Sequence, residues 1–298
     1  MKIQRKGNSK TSPCIITKEI VEYVTDLYVN KRMGMANIGK EIGASPSTVM
    51  RILHGANVHI RTDREQALKY SVDENYFEKI DNEHKAYWFG LMYSDGFIQK
   101  ARKYNSRKIG ISLNIEDKPL LEKFKEDLKF TGDVKEYKVS SGFIVGAPYC
   151  RLLISNEKLA SDLESKGCVE QKSTILKFPE NKVISNDLMW HFLRGFIDGD
   201  GSIMLKHSDT GFPLLVITIT STKEMLEGIK EFFGKNNLKL SQRYPDRDNN
   251  IYSLTVGGNF QTMDIVKNIY KDATIFMERK HDKYIQFLKE YEQYSRAN

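Results

Sequence analysis

Asp95 and Asp200 close two matching phrases, YWFGLMYSDGFI over residues 87–98 and HFLRGFIDGDGSI over residues 191–203. An Asp-Gly pair between apolar residues ordinarily marks a tight hairpin turn. Helical spacing fits these phrases better. Phe192, Gly195, Phe196 and Gly199 recur at three- and four-residue steps, and so do Tyr87, Gly90, Leu91 and Ser94. Gly90 and Gly195 hold the same place in the two phrases, and small residues there let two helices approach more closely than the usual ~8–10 Å. The closing Gly96 and Gly201 are then expected to stop each helix in left-handed geometry, free of Cβ strain.

The chemistry lies in where the acids fall. Asp95 and Asp200 would each sit at a helix C-terminus, where the macrodipole is already negative and a carboxylate costs roughly 0.3–1 kcal/mol. Two such ends side by side repel further. A divalent cation between them reverses the sign, and oxygen donors suit Mg²⁺. A cation so held activates water and stabilises the leaving oxygen of a phosphodiester.

The flanking elements repeat as well. IGISLNIEDKPLLEKFKEDL (109–128) parallels LLVITITSTKEMLEGIKEFF (214–233), each an alternating strand followed by an amphipathic helix. CRLLISNEKLASDLESKGCVEQKS (150–173) similarly parallels YSLTVGGNFQTMDIVKNIYKDATIFMERK (252–280). Ile109, Ile111, Leu113 and Ile115 point one way, while Gly110, Ser112, Asn114 and Glu116 point the other. Leu215, Ile217 and Ile219 alternate with Val216, Thr218 and Thr220. One apolar and one largely polar face describe antiparallel sheets covered by helices on one side only. The expected class is α+β, a tandem pseudo-twofold pair.

The two phrases resemble the LAGLIDADG motif of homing endonucleases, and the repeat matches their αββαββα half-domain over roughly residues 80–290. LRGFIDGDG at 193–201 is close to the family pattern. WFGLMYSDG at 88–96 is more divergent, with Tyr93 where the family often has another acid, a departure that bears on helix-end contacts. The resemblance implies that Asp95 and Asp200 are catalytic metal ligands, joined by the backbone carbonyls of Ser94 and Gly199. It also implies a basic residue near each site that polarises water or steadies the scissile phosphate. Lys172 and Lys280 are the candidates, with Lys177, Arg279 and Lys283 as neighbouring alternatives. Two or more Mg²⁺ ions are implied, with Mn²⁺ or Ca²⁺ able to substitute in binding. The two half-domains would form a saddle over DNA, cut one phosphodiester per strand and leave short 3′ extensions.

An N-terminal domain precedes the repeat. Ile20, Val21, Val24, Leu27 and Tyr28 recur at helical spacing, Ile38 and Ile42 suggest a short helix ended by Gly43, and ASPSTVMRILHG follows. There Ser45 is an N-cap, Pro46 takes the first helical position and Gly55 closes the helix. This is a helix-turn-helix layout. MANIGKEIGASPSTVMRILHGANVHIR also resembles the helix-turn-helix of resolvase and invertase DNA-binding domains. Val49, Ile52 and Leu53 would face inward, leaving Ser47, Thr48, Met50, Arg51 and His54 outward for the major groove. Residues 1–13 read as a loose arm.

Charge agrees with a polyanionic partner. The 298 residues hold 46 Lys and Arg against 39 Asp and Glu, a net +7. Residues 1–66 alone hold eleven bases and six acids, a net +5. Lys100, Arg102, Lys103, Arg107 and Lys108 crowd the first strand loop, and Lys206, His207, Lys239, Arg243 and Arg247 lie along the second half's hairpins. Such β-ribbons fit the major groove, phosphate contacts giving affinity and base edges specificity.

Other chemistries are excluded. Three cysteines, Cys14, Cys150 and Cys168, have no C-x-x-C spacing and point to a reducing, cytoplasmic compartment. The histidines show no H-E-x-x-H, and neither a P-loop nor a G-x-S-x-G elbow occurs. No signal peptide or membrane-spanning run is present. The expected organisation is an arm and helix-turn-helix domain over 1–60, a linker over 61–83, and half-domains over 84–182 and 183–298. The expected function is a monomeric, Mg²⁺-dependent, site-specific homing endonuclease acting on a long, nearly asymmetric double-stranded site. A non-cleaving regulator on the same fold and an intron RNA maturase are the alternatives.

Overall fold

The computed structural model describes residues 2–5, 7, 14–61, 70–100, 107–140, 144–234, 239–242 and 250–297. Contacts divide the chain into two units, Met1–Tyr70 and Ser71–Asn298.

The first unit holds helices α1 (Lys18–Val29), α2 (Met35–Ile42) and α3 (Pro46–Gly55). Thr17 caps α1 by accepting from the Ile20 amide, and Ser45 caps α3 by accepting from the Thr48 amide at 3.2 Å. Gly43 ends α2 with φ 75°, which relieves the Cβ strain another residue would meet. Ile20, Val24, Leu27, Ile38, Ile42, Val49, Ile52 and Leu53 form one core. Three expectations change here. Thr48 is buried, because as the third residue of α3 it turns back onto the Ser45 cap, so it leaves the outward face that Ser47, Met50, Arg51 and His54 keep. Gly55 is the last residue of α3 without positive φ, and Asn57, at φ 53°, makes the left-handed turn instead. The N-terminal arm is not wholly loose: strand β1 (Gln4–Arg5) pairs with β2 (Cys14–Ile15), and Ile3 donates its amide to Ile42 O at 2.8 Å.

The second unit repeats one pattern twice. The first copy runs α4 (Glu83–Tyr93), β3 (Gly96–Gln99), β4 (Lys108–Asn114), α5 (Lys118–Asp127), β5 (Lys135–Lys138), β6 (Pro148–Ser155) and α6 (Glu157–Ser165). The second runs α7 (Asn186–Asp200), β7 (Gly201–His207), β8 (Pro213–Ser221), α8 (Lys223–Phe233), β9 (Lys239–Gln242), β10 (Tyr252–Val256) and α9 (Asn259–Tyr270), then α10 (Glu278–Ala297). Both copies are αββαββα. The strand orders are β3-β4-β6-β5 and β7-β8-β10-β9, with every described pairing antiparallel. Ile109, Ile111, Leu113, Leu152 and Ile154 bury one face of the first sheet, as Leu215, Ile217, Ile219, Leu254 and Val256 do in the second. The other faces stay open.

The linker expected over 61–83 is shorter than the sequence suggests. From Ser71 the chain joins the first copy, where Asp73 donates its amide to Leu128 O and Phe77 packs against Phe124. Tyr76 and Phe77 are the apolar pair whose burial recruits this stretch.

Candidate active site

At Gly90 and Gly195 the backbones of α4 and α7 meet without side chains between them. A Cβ on Gly90 would collide with Phe192 O and stand 2.8 Å from Phe196 N, while one on Gly195 would collide with Tyr87 O and stand 2.9 Å from Leu91 N. The two glycines therefore exchange backbone contacts across a pseudo-twofold axis. Their neighbours are large and aromatic, and Phe89, Tyr93 and Phe192 pack with ring centroids 4.8–5.5 Å apart. At the helix ends Ser94 lies against Gly199, whose missing Cβ leaves room for the Ser94 side chain and for Asp95 Oδ2. The motif-closing glycines differ from expectation. Gly201 is extended (φ −100°) and opens β7, and Gly96 opens β3 without positive φ. Both positions need glycine for space, since a Cβ would come within 2.6 Å of Met92 O or 2.5 Å of Ile197 O.

Asp95 and Asp200 thus arrive together at the C-terminal ends of α4 and α7. Among the described residues no side chain or backbone donor bonds either carboxylate. Burial pushes Asp95 above its usual range against the pull of Lys280, Lys172 and Arg279. Asp200 keeps an edge open to solvent, yet burial and the Asp95 charge push it up to about 6. Two crowded, unpartnered oxygen-donor groups fit a hard divalent cation, which these residues would hold. The cavity alongside, about 150 Å³, is bordered by Tyr93, Ser94, Lys172, Ser173, Asp200, Thr220 and Ser221.

Lys172 and Lys280 are buried beneath the two helix ends, whereas Lys177 and Lys283 are exposed. Lys172 Nζ donates to Ser94 O at 2.8 Å and also to Gly96 O. Lys280 Nζ donates to Ile197 O at 2.7 Å, Asp198 O at 2.6 Å and Gly201 O at 2.6 Å, and burial pushes it down to about 8. Each ammonium therefore caps the negative end of an acid-bearing helix. Both groups already have protein partners here. The Ser94 carbonyl, expected to face a metal, accepts from Lys172. Lys280, expected to touch water or phosphate, commits its three N–H bonds to carbonyls.

The first phrase's Tyr93 solves the same problem as the second phrase's Asp198 with the opposite polarity. Tyr93 donates its hydroxyl to Lys166 O at 2.6 Å, over Gly167, whose φ of 96° leaves the space the hydroxyl occupies. Asp198 instead accepts from the Met277 amide at 2.8 Å. Sequence reasoning missed Arg194. Fully buried, it donates to Ile269 O and Ile275 O at 2.8 Å each and to Glu83 Oε1 at 2.6 Å. A lone arginine in the apolar phrase HFLRGF was the available signal, since such a charge must find partners inside.

The expected DNA-contacting residues divide. Arg51 and Ser47 are exposed on α3, and Lys206 is exposed on β7. Lys100 pairs loosely with Glu170 at 3.7 Å, and Lys108 is half-buried on β4. Arg107 departs from the expectation, because its guanidinium donates to Glu157 at 2.8 Å, Glu164 at 2.6 Å and Ser161 at 2.7 Å, pinning the strand to α6. Arg102, Lys103, Arg243 and Arg247 lie outside the described residues.

Comparisons with known proteins find several similar solved structures and one matching family model. Similar solved structures include the I-LtrWI LAGLIDADG homing endonuclease bound to target DNA (16% identity, 72% of this chain and 92% of that one, TM-score 0.47). The LAGLIDADG meganuclease I-AabMI bound to uncleaved DNA (16%, 73% and 92%, 0.47) and the I-GzeII LAGLIDADG homing endonuclease in complex with its DNA target (14%, 72% and 92%, 0.47) are further examples. No curated protein matches. The family model described as LAGLIDADG endonuclease matches residues 193–291, which carry Asp200, the α8-covered sheet and Lys280.

Proposed function

We propose that the protein is a site-specific DNA endonuclease that hydrolyses one phosphodiester in each strand of a long duplex site. The observation carrying this reading is the convergence of Asp95 and Asp200, one from each repeat, unpartnered and held above their usual range. A structural protein gains nothing from such a pair, whereas a divalent cation held there would supply water activation and stabilisation of the departing oxygen. Mg²⁺ is the ion proposed, with Mn²⁺ and Ca²⁺ as binding substitutes.

The chain's own contributions follow from the geometry. Asp95 and Asp200 would hold the cation, and the Gly199 carbonyl is the proposed backbone ligand. Lys172 and Lys280 fix both helix ends and keep positive charge beneath the scissile phosphates, a preorganised field that needs no rearrangement during reaction. The open sheet faces, with Lys108 and Lys206, receive the duplex. The first unit adds a second contact through Ser47 and Arg51 on α3, extending the footprint with steep salt dependence. As the two repeats sit in one chain, one molecule suffices for both strands.

Incubating a library of duplex sites with the full chain and Mg²⁺, beside Asp200→Asn, tests the proposal. Double-strand cleavage by the parent and none by the variant is expected. Tight sequence-specific binding with no cleavage of any site would overturn the enzyme reading and leave a DNA-binding regulator. Selective binding of intron RNA over duplex DNA would point to a maturase.

A further inference from the structure

The open faces of the two sheets differ at matching positions. In the first sheet Ser112 of β4 pairs with Arg151 of β6, which pairs with Lys135 of β5. In the second, Thr220 of β8 pairs with Ser253 of β10, which pairs with Ser241 of β9. Register makes these rows equivalent, because Gly96 pairs with Ile111 and Gly201 with Ile219, one residue before Ser112 and Thr220. Both rows thus lie next to the acid-bearing helix ends. Arginine stands in one row where serine stands in the other.

Arg151 is built into place. Its Nε donates to Ser112 Oγ at 2.8 Å, and its guanidinium carbon stands 5.4 Å from the Tyr149 ring centre, 5.6 Å from Tyr137 and 5.7 Å from Phe97. Tyr137 and Tyr149 stack on each other at 5.3 Å. Phe97 can lie there because Gly110 beneath it has no side chain, as a Cβ would come 2.6 Å from Phe97 Cζ. The bonded Nε leaves both Nη groups without an acidic partner among the described residues. In the second sheet the corresponding row places Thr220 Oγ1 3.4 Å from Ser253 Oγ.

We propose that Arg151 is a specificity-determining residue that reads one guanine near the centre of the first half-site, with no counterpart in the second. This rests on the DNA-cleaving reading above. A guanidinium fixed at Nε and by three rings presents two parallel N–H donors, the geometry that matches O6 and N7 of guanine in the major groove. A phosphate contact would need no such fixing, since charge alone serves there. Ser253 is too short to form the same bidentate pair, so the site is asymmetric at this base pair.

The test is selection from a randomised duplex library by the full chain without divalent metal, followed by sequencing of the bound pool. The parent is expected to enrich guanine at one central position and not at its mirror position. Arg151→Lys keeps the charge but loses the fork. It should lower that one preference by about 10- to 100-fold, leaving the salt dependence and the other positions unchanged. Arg151→Ala, checked by thermal melting, should remove the preference too. An unchanged selected sequence in both variants, with or without a lower melting temperature, would make Arg151 a packing residue and overturn the proposal. Enrichment at both mirror positions would overturn the asymmetry. A parent that enriches no sequence would instead defeat the DNA-cleaving reading itself.

Discussion

The Tyr87 hydroxyl donates to Asp198 Oδ2 at 2.8 Å, and the same oxygen accepts from the Met277 amide at 2.8 Å. One buried carboxylate thus joins both motif helices to the segment that leads into Lys280. Burial pushes Asp198 up to about 6, so it is charged at neutral pH and depends on these donors. Tyr87→Phe is expected to cost about 1–3 kcal/mol in urea unfolding at pH 7.5. With the acid's folded value raised, its charged form is absent well below about 6. The penalty should therefore shrink at pH 5, and an equal penalty at both values would contradict this account.

The exchange of backbone contacts between Gly90 and Gly195 makes a second prediction. Alanine at either position gains helix propensity of about 1 kcal/mol. It must also displace the facing carbonyl of Phe192 or Tyr87. Separation of the helices dominates, so Gly195→Ala should lower stability by about 1–3 kcal/mol and impair cleavage. Thermal melting of both variants checks it; a stabilised variant would show that the helices can part freely.

Asp200 sets function against stability. Its folded pKa of about 6 lies above the ordinary carboxylate value, so the folded state binds a proton more tightly than the unfolded chain. Stability then falls as pH rises from about 4 to 6 and stays lowered above. Asp200→Asn should melt higher than the parent at pH 7.5, with the gain fading as pH falls through 6 and gone near 4. Added Mg²⁺ should raise the parent's melting temperature by mass action and leave the variant's nearly unmoved. Calorimetry across pH, with and without the ion, reads both effects.

Helix α3 offers a separable test. Ser45→Ala removes the acceptor for the Thr48 amide and should cost the first unit about 1 kcal/mol. Arg51→Ala, on the exposed face, should leave stability unchanged, weaken DNA binding and reduce its salt slope by about one. Deleting residues 1–60 should shorten the footprint. An unchanged footprint would assign this unit another partner.

Much of this protein was legible in one dimension. Alternation in 109–115 and 215–220 separated the buried face of each sheet from the open one, because strand periodicity alone assigns sides. The doubled phrase located Asp95, Asp200, Gly90 and Gly195, since helical spacing and small residues are local properties. Long-range partners were not legible. No spacing rule connects Lys280 to Ile197 O or Arg107 to Glu164, and nothing adjacent to Tyr93 announces Lys166 O. The sequence by itself determined that two acids would end two helices where the dipole opposes them. Only the tertiary structure decided that buried lysines from distant segments would cap those ends, because a charge inside protein must take whichever carbonyls the fold brings within reach.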